Sequence, residues 1–316
     1  MRYLKRSLYK ETFDGPPRIT LLFTGQPPRR RRNQLLQRTY RGEVNSGDGM
    51  ILVHVQALGG IALAFCLLMG LAWVVQQRTG NSGWVDAIWS YATGLVGAGA
   101  ALWPLDAGAP ERQVLVGSLV LLWSVRLGTH IARRAAAGID DPRYANYARQ
   151  WGAAAPRRMF LFLQSQALVS LPLPFAVFLA AHAPEPGLRL QDYAGAAIIL
   201  AAVAGEALAD RQLRRFKLSP SSAGQVCDVG LWRWSRHPNY FFEWLGWWAY
   251  PIIALSPGYA WGWASLAAPA IMYWILVHVT GIPPLEEQML QSRGDRYRAY
   301  QARTNAFFPW PPKRAQ

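Results

Sequence analysis

The stretch "ILVHVQALGGIALAFCLLMGLAWVV", residues 51–75, decides which solvent this chain folds in. It contains no Asp, Glu, Lys or Arg, and it exceeds the roughly 20 apolar residues a helix needs to cross a bilayer. Comparable runs recur at 84–104, 112–131, 159–182, 191–209, 239–256 and 258–280. Seven spans are expected, with six as the alternative count. The 316 residues are 52% hydrophobic and 16% charged, against about 25% charged in an ordinary soluble domain. A soluble all-α protein with apolar core helices is the competing reading. It fails because so many long consecutive runs leave little amphipathic surface to face water. The sequence therefore predicts an all-α polytopic membrane protein.

Tryptophan placement agrees. Trp84, Trp89, Trp103, Trp151, Trp247, Trp248, Trp261 and Trp263 fall near predicted span ends, where amphipathic rings settle at the headgroup boundary. The two cysteines, Cys66 and Cys227, offer neither a disulfide framework nor zinc spacing.

Charge sets the expected orientation. Arg133, Arg134, Arg143, Arg149, Arg157 and Arg158 lie between spans three and four. Arg211, Arg214, Arg215, Lys217, Arg233 and Arg236 lie between five and six, and Arg293, Arg296, Arg298, Arg303, Lys313 and Arg314 follow the seventh. The intervening loops "PLDAGAPE", "APEPGLRLQ" and "SPG" hold one arginine between them. By the positive-inside rule the basic segments, including the C-terminus, are cytoplasmic. The net charge of +15 then reads as topology plus an anion site, and not as nucleic-acid binding.

Residues 1–49 depart from that pattern. They hold eleven Lys/Arg, including "RRRR" at 29–32, against Glu11, Asp14, Glu43 and Asp48, and seven spans would place them outside. Their Pro-, Gly- and Arg-rich composition cannot bury a core. The preferred expectation is a start of translation at Met50; the alternative is a disordered basic extension. The bundle is then expected over 50–282, followed by a cytoplasmic amphipathic segment over 283–316.

Polar residues inside spans are costly, about 2.5 to 3.5 kcal/mol each at the bilayer centre, so they point to function. Three groups stand out. In "GEALADRQLRRFK", Glu206, Asp210, Arg214 and Lys217 share one helix face, and Asp210 with Arg214 reads by default as a helix-end pair. In "LLWSVRLGTHIARR", Arg126, His130 and Arg133 stack at i, i+4 and i+7 with Trp123 on the same side. That stack suits either snorkelling or a phosphate-binding rail. In "SRHPNYFFEW", Pro238 starts a helix, and Asn239 and Glu243 stand one above the other. They face inward if Phe241, Phe242, Trp244 and Trp248 face lipid, and together they suit either a carboxamide or a helix cap with an interhelical hydrogen bond. Beyond Pro283-Pro284, which break the last span, Tyr297 and Tyr300 lie three apart on an amphipathic helix expected along the cytoplasmic mouth.

No phosphate-binding P-loop, "HExxH", "GxSxG" or metal-spaced Cys/His set is present. "GAGAAL" at 97–102 follows no strand and reads as small-residue helix packing. Any nucleotide must be held by helices and loops.

The stretches "RTGNSGWVDAIWS", "LLWSVRLGTHIARR", "GEALADRQLRRFK", "VCDVGLWRWSRHPNYFFEWLGWWAYP" and "VTGIPPLEEQMLQSRGDRYRAYQARTNAFFPWPP" resemble the steroid 5-alpha-reductase-like family, most closely its bacterial branch. That resemblance implies a seven-helix bundle in a bacterial inner membrane. It implies a cytoplasm-facing cavity for NADPH, and reduction of a carbon–carbon double bond conjugated to a carbonyl in a lipid-like substrate. It carries nicotinamide contact to Asn239 and Glu243. Nucleotide contact falls to Asp210, Arg214, Lys217 and Arg126, with Arg236, His237 and Tyr297 as further cofactor-side candidates. One departure is Trp123, where reductases acting on steroids place a tyrosine. The Gln-Glu pair of their first spans has no match, and Asp86 or Glu206 is the candidate substitute. Hydride addition builds charge on the carbonyl oxygen and so needs a donor; Glu243, Glu206 and the phenols Tyr240, Tyr297 and Tyr91 are the candidates. "SRHPNY", "LEEQ" and "YRAY" also resemble isoprenylcysteine and phospholipid methyltransferases, which use S-adenosylmethionine. A non-enzymatic lipid binder or transporter is the third expectation, against which stands the lack of an internal repeat.

Overall fold

The computed structural model describes residues 47–105 and 108–313, and among them all regular elements are helical apart from one isolated bridge between Ser235 and Asn305. The chain divides into two units, Met1–Met50 and Ile51–Gln316, of which the second holds the helices discussed below apart from the first four residues of the first helix. Residues 1–46, and with them nearly all of the expected basic extension, lie outside the described residues.

The long helix α1 (Gly47–Thr79) buries Ile61, Phe65, Met69 and Ala72, a stripe at helical spacing, and exposes Leu63, Leu67 and Leu71 on the other side. Helices α2 (Gly83–Ala101) and α3 (Pro110–Ala136) form a close antiparallel pair, followed by α4 (Pro142–Trp151), α5 (Ala155–Val169) and α6 (Pro172–Ala181). Every residue of α6 from Leu173 to Ala181 is buried. Next come α7 (Leu190–Leu218), α8 (Pro238–Trp247) and α9 (Ala249–Ala254). Helix α10 (Ala267–Trp274) lies between a 3-10 segment, Ala260–Leu266, and a π-helical turn, Ile275–Val279; α11 (Ile282–Arg293) and α12 (Asp295–Arg303) end the chain.

Five described stretches are long and apolar enough to cross a membrane: Gly49–Thr79, Pro110–Ala136, Arg143–Ala181, Leu190–Leu218 and Ala260–Arg293. The chain thus has the helices of an integral membrane protein, but the expected count of seven is not reached on that measure. The expected spans at 84–104 and 239–256 are not among these five. Helix α2 is largely buried, at Val85, Ala92, Val96, Ala98 and Ala101 among others, and exposes Leu95. The 239–256 run breaks at Trp248 into α8 and α9 of 10 and 6 residues, together about 24 Å of helix against a hydrocarbon core of about 30 Å.

Small residues make the α2–α3 seam, as the "GAGAAL" reading expects. A Cβ on Gly94 would lie 2.1 Å from Ser124 Cβ, one on Gly97 3.3 Å from Val120 Cγ2, and one on Gly128 2.8 Å from the Tyr91 ring. At the far end of α3, Arg112 is fully buried and ties the 183–187 loop down. It donates to Asp192 (3.1 Å) and to the carbonyls of Ala183 (2.8 Å), Glu185 (2.8 Å) and Gly187 (2.5 Å). Sequence reading passed over this clamp, since Arg112 stands at a span end where a solvated arginine is ordinary.

The C-terminal segment is a clasp. The last expected span ends at Thr280-Gly281, and Pro283 and Pro284 sit in the first turn of the next helix, α11, where a missing N–H costs nothing. A second break comes at Gly294, whose φ of 53° suits glycine. Tyr297 and Tyr300 turn inward and are buried, with the Tyr300 hydroxyl donating to the Trp232 carbonyl. Ser235 Oγ donates to the Phe307 carbonyl (2.8 Å), and the Arg236 amide to the Asn305 carbonyl (2.8 Å). Phe241 and Trp244 meet the Phe307 ring edge to face (6.0 and 5.6 Å between centroids), so each packs in part against the clasp.

Two outcomes are expected. Gly94→Ala forces the seam apart and lowers stability by about 1 to 3 kcal/mol; it will depress the thermal transition in detergent, while Gly99→Ala, which meets nothing within 4 Å, will not. His237 stands 3.2 Å from Glu286 in the clasp, and burial lowers its pKa. The fold therefore favours its neutral form: that contribution is present above the unfolded value of about 6.5 and is lost as pH falls through the folded one. Limited proteolysis will accordingly cut the clasp faster at acidic than at neutral pH, and less pH-dependently in His237→Gln.

Candidate functional site

Three helices bring the predicted polar residues together. Arg126 stands about 24 Å along α3 from its start, and Glu206 about 24 Å along α7. Both helices begin near the arginine-poor loops, so the two side chains meet at one depth. There Arg126 forms ion pairs with Glu206 and with Asp210, and the His130 Nε2 lies 3.7 Å from Asp210. The helix-end pair expected between Asp210 and Arg214 is replaced by this contact between helices. Arg214 and Lys217 remain exposed on α7.

The consequence for a phosphate rail is direct. Arg126 brings one positive charge and faces two carboxylates, so none is left unmatched for an anion. A buried charge is tolerated when paired, and pairing is what this arrangement supplies.

Glu243 reaches the same region from α8. Its two oxygens accept from the indole N–H groups of Trp123 (2.8 Å) and Trp247 (3.0 Å), whose rings meet edge to face at 4.9 Å. Trp123, where a tyrosine was the expectation for steroid reduction, is thus a donor to the α8 carboxylate. Beside these groups is a crevice walled by Trp123, Glu206, Phe242, Trp247 and Tyr250, with a volume of about 10 Å³. That is room for about one water.

Asn239, one turn before Glu243, makes no pair with it. Its Oδ1 is buried and has no hydrogen-bond partner among the described residues. An acceptor left unsatisfied costs about 1 to 3 kcal/mol; among the described residues Arg126 Nη1, Arg189 Nε and Trp248 Nε1 are likewise buried without a hydrogen-bond partner, and Asn239 Oδ1 is the one acceptor of the four.

The other candidates lie elsewhere. Arg236 Nε (2.7 Å) and His237 Nε2 (3.2 Å) both engage Glu286 Oε1, while Gln301 donates to Glu286 Oε2 (2.8 Å). Tyr297 is buried beside this group. These residues hold the clasp over the start of α8. Tyr240 stacks on the His237 ring (5.6 Å) and has Arg143, Asp86 and Asp141 as electrostatic neighbours, away from Glu206. Tyr91 shares a hydrogen bond with Thr129 (2.9 Å). Among the described residues, no group of three or more His, Cys, Asp or Glu is placed to hold a metal.

Arg126→Gln strands two buried carboxylates and is expected to destabilise by about 3 to 5 kcal/mol. Adding Glu206→Gln and Asp210→Asn removes the stranded charges and recovers most of that loss, as detergent-phase thermal unfolding of the single and triple variants will show.

Comparison with other proteins gives kinship without chemistry. The chain is 26% identical, over 87% of its length and 85% of the other's, to the "Uncharacterized protein C594.04c" of Schizosaccharomyces pombe. No solved structure matches. Residues 72–304 match the family described as "Protein of unknown function (DUF1295)", and the chain, whose polar helices α3, α7 and α8 all fall within that match, belongs to this family.

Proposed function

We propose that the protein is a membrane-embedded, NADPH-dependent reductase of a carbon–carbon double bond conjugated to a carbonyl in a lipid-like substrate. Its arginine-rich end would face the cytoplasm of a bacterial cell. The observation that carries this reading is the buried Oδ1 of Asn239, an acceptor with no donor at the first turn of α8. A carboxamide N–H is the group it lacks. Exposed Arg214 and Lys217 on α7 have the charge to hold the phosphates. Arg126 does not fit that task, being neutralised by Glu206 and Asp210.

When bound, the cofactor would supply a hydride to the β carbon of the conjugated system. The protein's own residues would do the rest. Asn239 would orient the carboxamide, and the Arg126–Glu206–Asp210 set would fix α3 against α7. The apolar walls of the bundle would keep water from the reacting carbons. A lipid substrate would enter sideways between helices.

One observation favours the S-adenosylmethionine-dependent methyltransferase as a second reading. The "SRHPNY", "LEEQ" and "YRAY" motifs, separate in sequence, form one network through Arg236, His237, Glu286 and the buried Tyr297.

Binding of NADPH, NADH and S-adenosylmethionine to detergent-purified protein separates the readings. The expected result is binding of NADPH in preference to both others. Asn239→Ala should weaken it about tenfold, the loss of one hydrogen bond, with the thermal transition unchanged. Binding of S-adenosylmethionine instead would overturn the reductase.

A further inference from the structure

A second polar cluster lies apart from Arg126, where α2, α4, α5 and the turn before α11 meet. Asp141 caps α4 by accepting the Arg143 amide (2.9 Å), and this places the Arg143 guanidinium. Its Nε donates to Asp141 Oδ1 (2.9 Å), and its Nη2 to Asp141 Oδ2 (2.8 Å) and Asp86 Oδ2 (2.5 Å). The Nη1 donates to the carbonyl of Thr280 (3.2 Å). Thr280 directly follows the π-helical turn, its own amide bonding back to the Ile275 carbonyl (3.0 Å). Such wide turns recur at functional sites. Tyr144 donates to Asp86 Oδ1 (2.7 Å) and accepts from Gln166 Nε2 (3.1 Å).

A cavity of about 70 Å³ opens beside this network, walled by Arg143, Tyr144, Tyr147, Phe162, Gln166 and Thr280. It has room for about five waters, or for a carbonyl and the few carbons beside it.

Charge and hydrogen bonding select the occupant. Arg143 already faces two carboxylates, so an anion finds no unmatched positive charge. An ammonium would meet the guanidinium in the wall. Neutral hydrogen-bonding capacity remains: the Tyr147 hydroxyl has no partner among the described residues, and Gln166 Oε1 has only a 3.4 Å contact with Tyr144. The rings of Tyr147 and Phe162, 5.4 Å apart, supply an apolar wall.

We propose that this cavity binds the uncharged oxygen-bearing end, ketone or hydroxyl, of a lipid. The site rests on the reductase reading only for the identification of that oxygen with the conjugated carbonyl. Tyr240, next in sequence to Asn239, has Arg143 and Asp86 among its neighbours, so a lipid held here approaches the first turn of α8.

The test is photolabelling of the full chain in detergent with a long-chain ketone carrying a diazirine next to the carbonyl. The matching carboxylate and the oxygen-free alkane serve as comparison probes, and labelled peptides are mapped by mass spectrometry. The ketone should label residues 143–166 or 279–284 more strongly than either comparison probe. Gln166→Leu and Tyr147→Phe should each reduce that labelling about fivefold, as for one lost hydrogen bond. Val279, beside Thr280, is a further wall residue, and Val279→Trp, which fills the cavity, should abolish it, with the two conservative variants deciding the matter should that one misfold. Labelling by the carboxylate as strong as by the ketone, labels confined to 199–206 or 242–250, labelling unchanged in Gln166→Leu and Tyr147→Phe, or no labelling would each overturn the site. NADPH binding measured on the same preparation keeps the two readings distinct: labelling without it retains the cavity and removes the reductase, and the reverse does the opposite.

Discussion

Arg126 is a permanent cation inside an apolar bundle, and its ion pairs with Glu206 and Asp210 constrain what surrounds it. A guanidinium at that depth is tolerated only with its charge matched. Meeting that condition holds α3 and α7 in one register and leaves α8 to close over them. Glu243 then takes its hydrogen bonds from Trp123 on α3 and Trp247 on its own helix. Three helices are tied by polar contacts that lipid cannot replace, while the glycines of the α2–α3 seam let backbones approach where no polar tie exists.

The same accounting separates structural polar groups from candidate functional ones. Arg112 with Asp192, Arg126 with its two carboxylates, and Arg236 with Glu286 all spend their charge on neighbours. Each pins a different element: the 183–187 loop, the α3–α7 contact and the C-terminal clasp. What remains unspent is limited. Asn239 Oδ1, Arg126 Nη1, Arg189 Nε and Trp248 Nε1 are buried without hydrogen-bond partners, the Tyr147 hydroxyl lacks a partner among the described residues, and a cavity of about 70 Å³ opens by Arg143. Asn239 and that cavity are linked at the first turn of α8 through Tyr240, which has Arg143 among its neighbours.

The clasp gives the turn its position. Ser235, Arg236 and His237 precede Pro238 and are each bonded to the chain's last forty residues. An amphipathic helix along the cytoplasmic mouth was the expectation for this segment. Buried Tyr297 and Tyr300 show that its aromatic face packs inside the protein.

Much of this was legible in order along the chain. Apolar runs of about 20 residues and the basic loops between them dictate helices in a membrane, because burying unpaired backbone or unmatched charge in hydrocarbon is so costly. The i, i+4 spacing placed Glu206 with Asp210, and Arg126 with His130, on shared faces, and the small residues of 97–102 announced a close seam. Partner choice was not legible. That Asp210 pairs with Arg126 and not Arg214, that Trp123 serves Glu243, and that Asp86 gathers Arg143 and Tyr144 depend on contacts between residues far apart in sequence. Local pattern determines which face a side chain occupies; only the packing of helices against one another decides what charge or donor waits across from it.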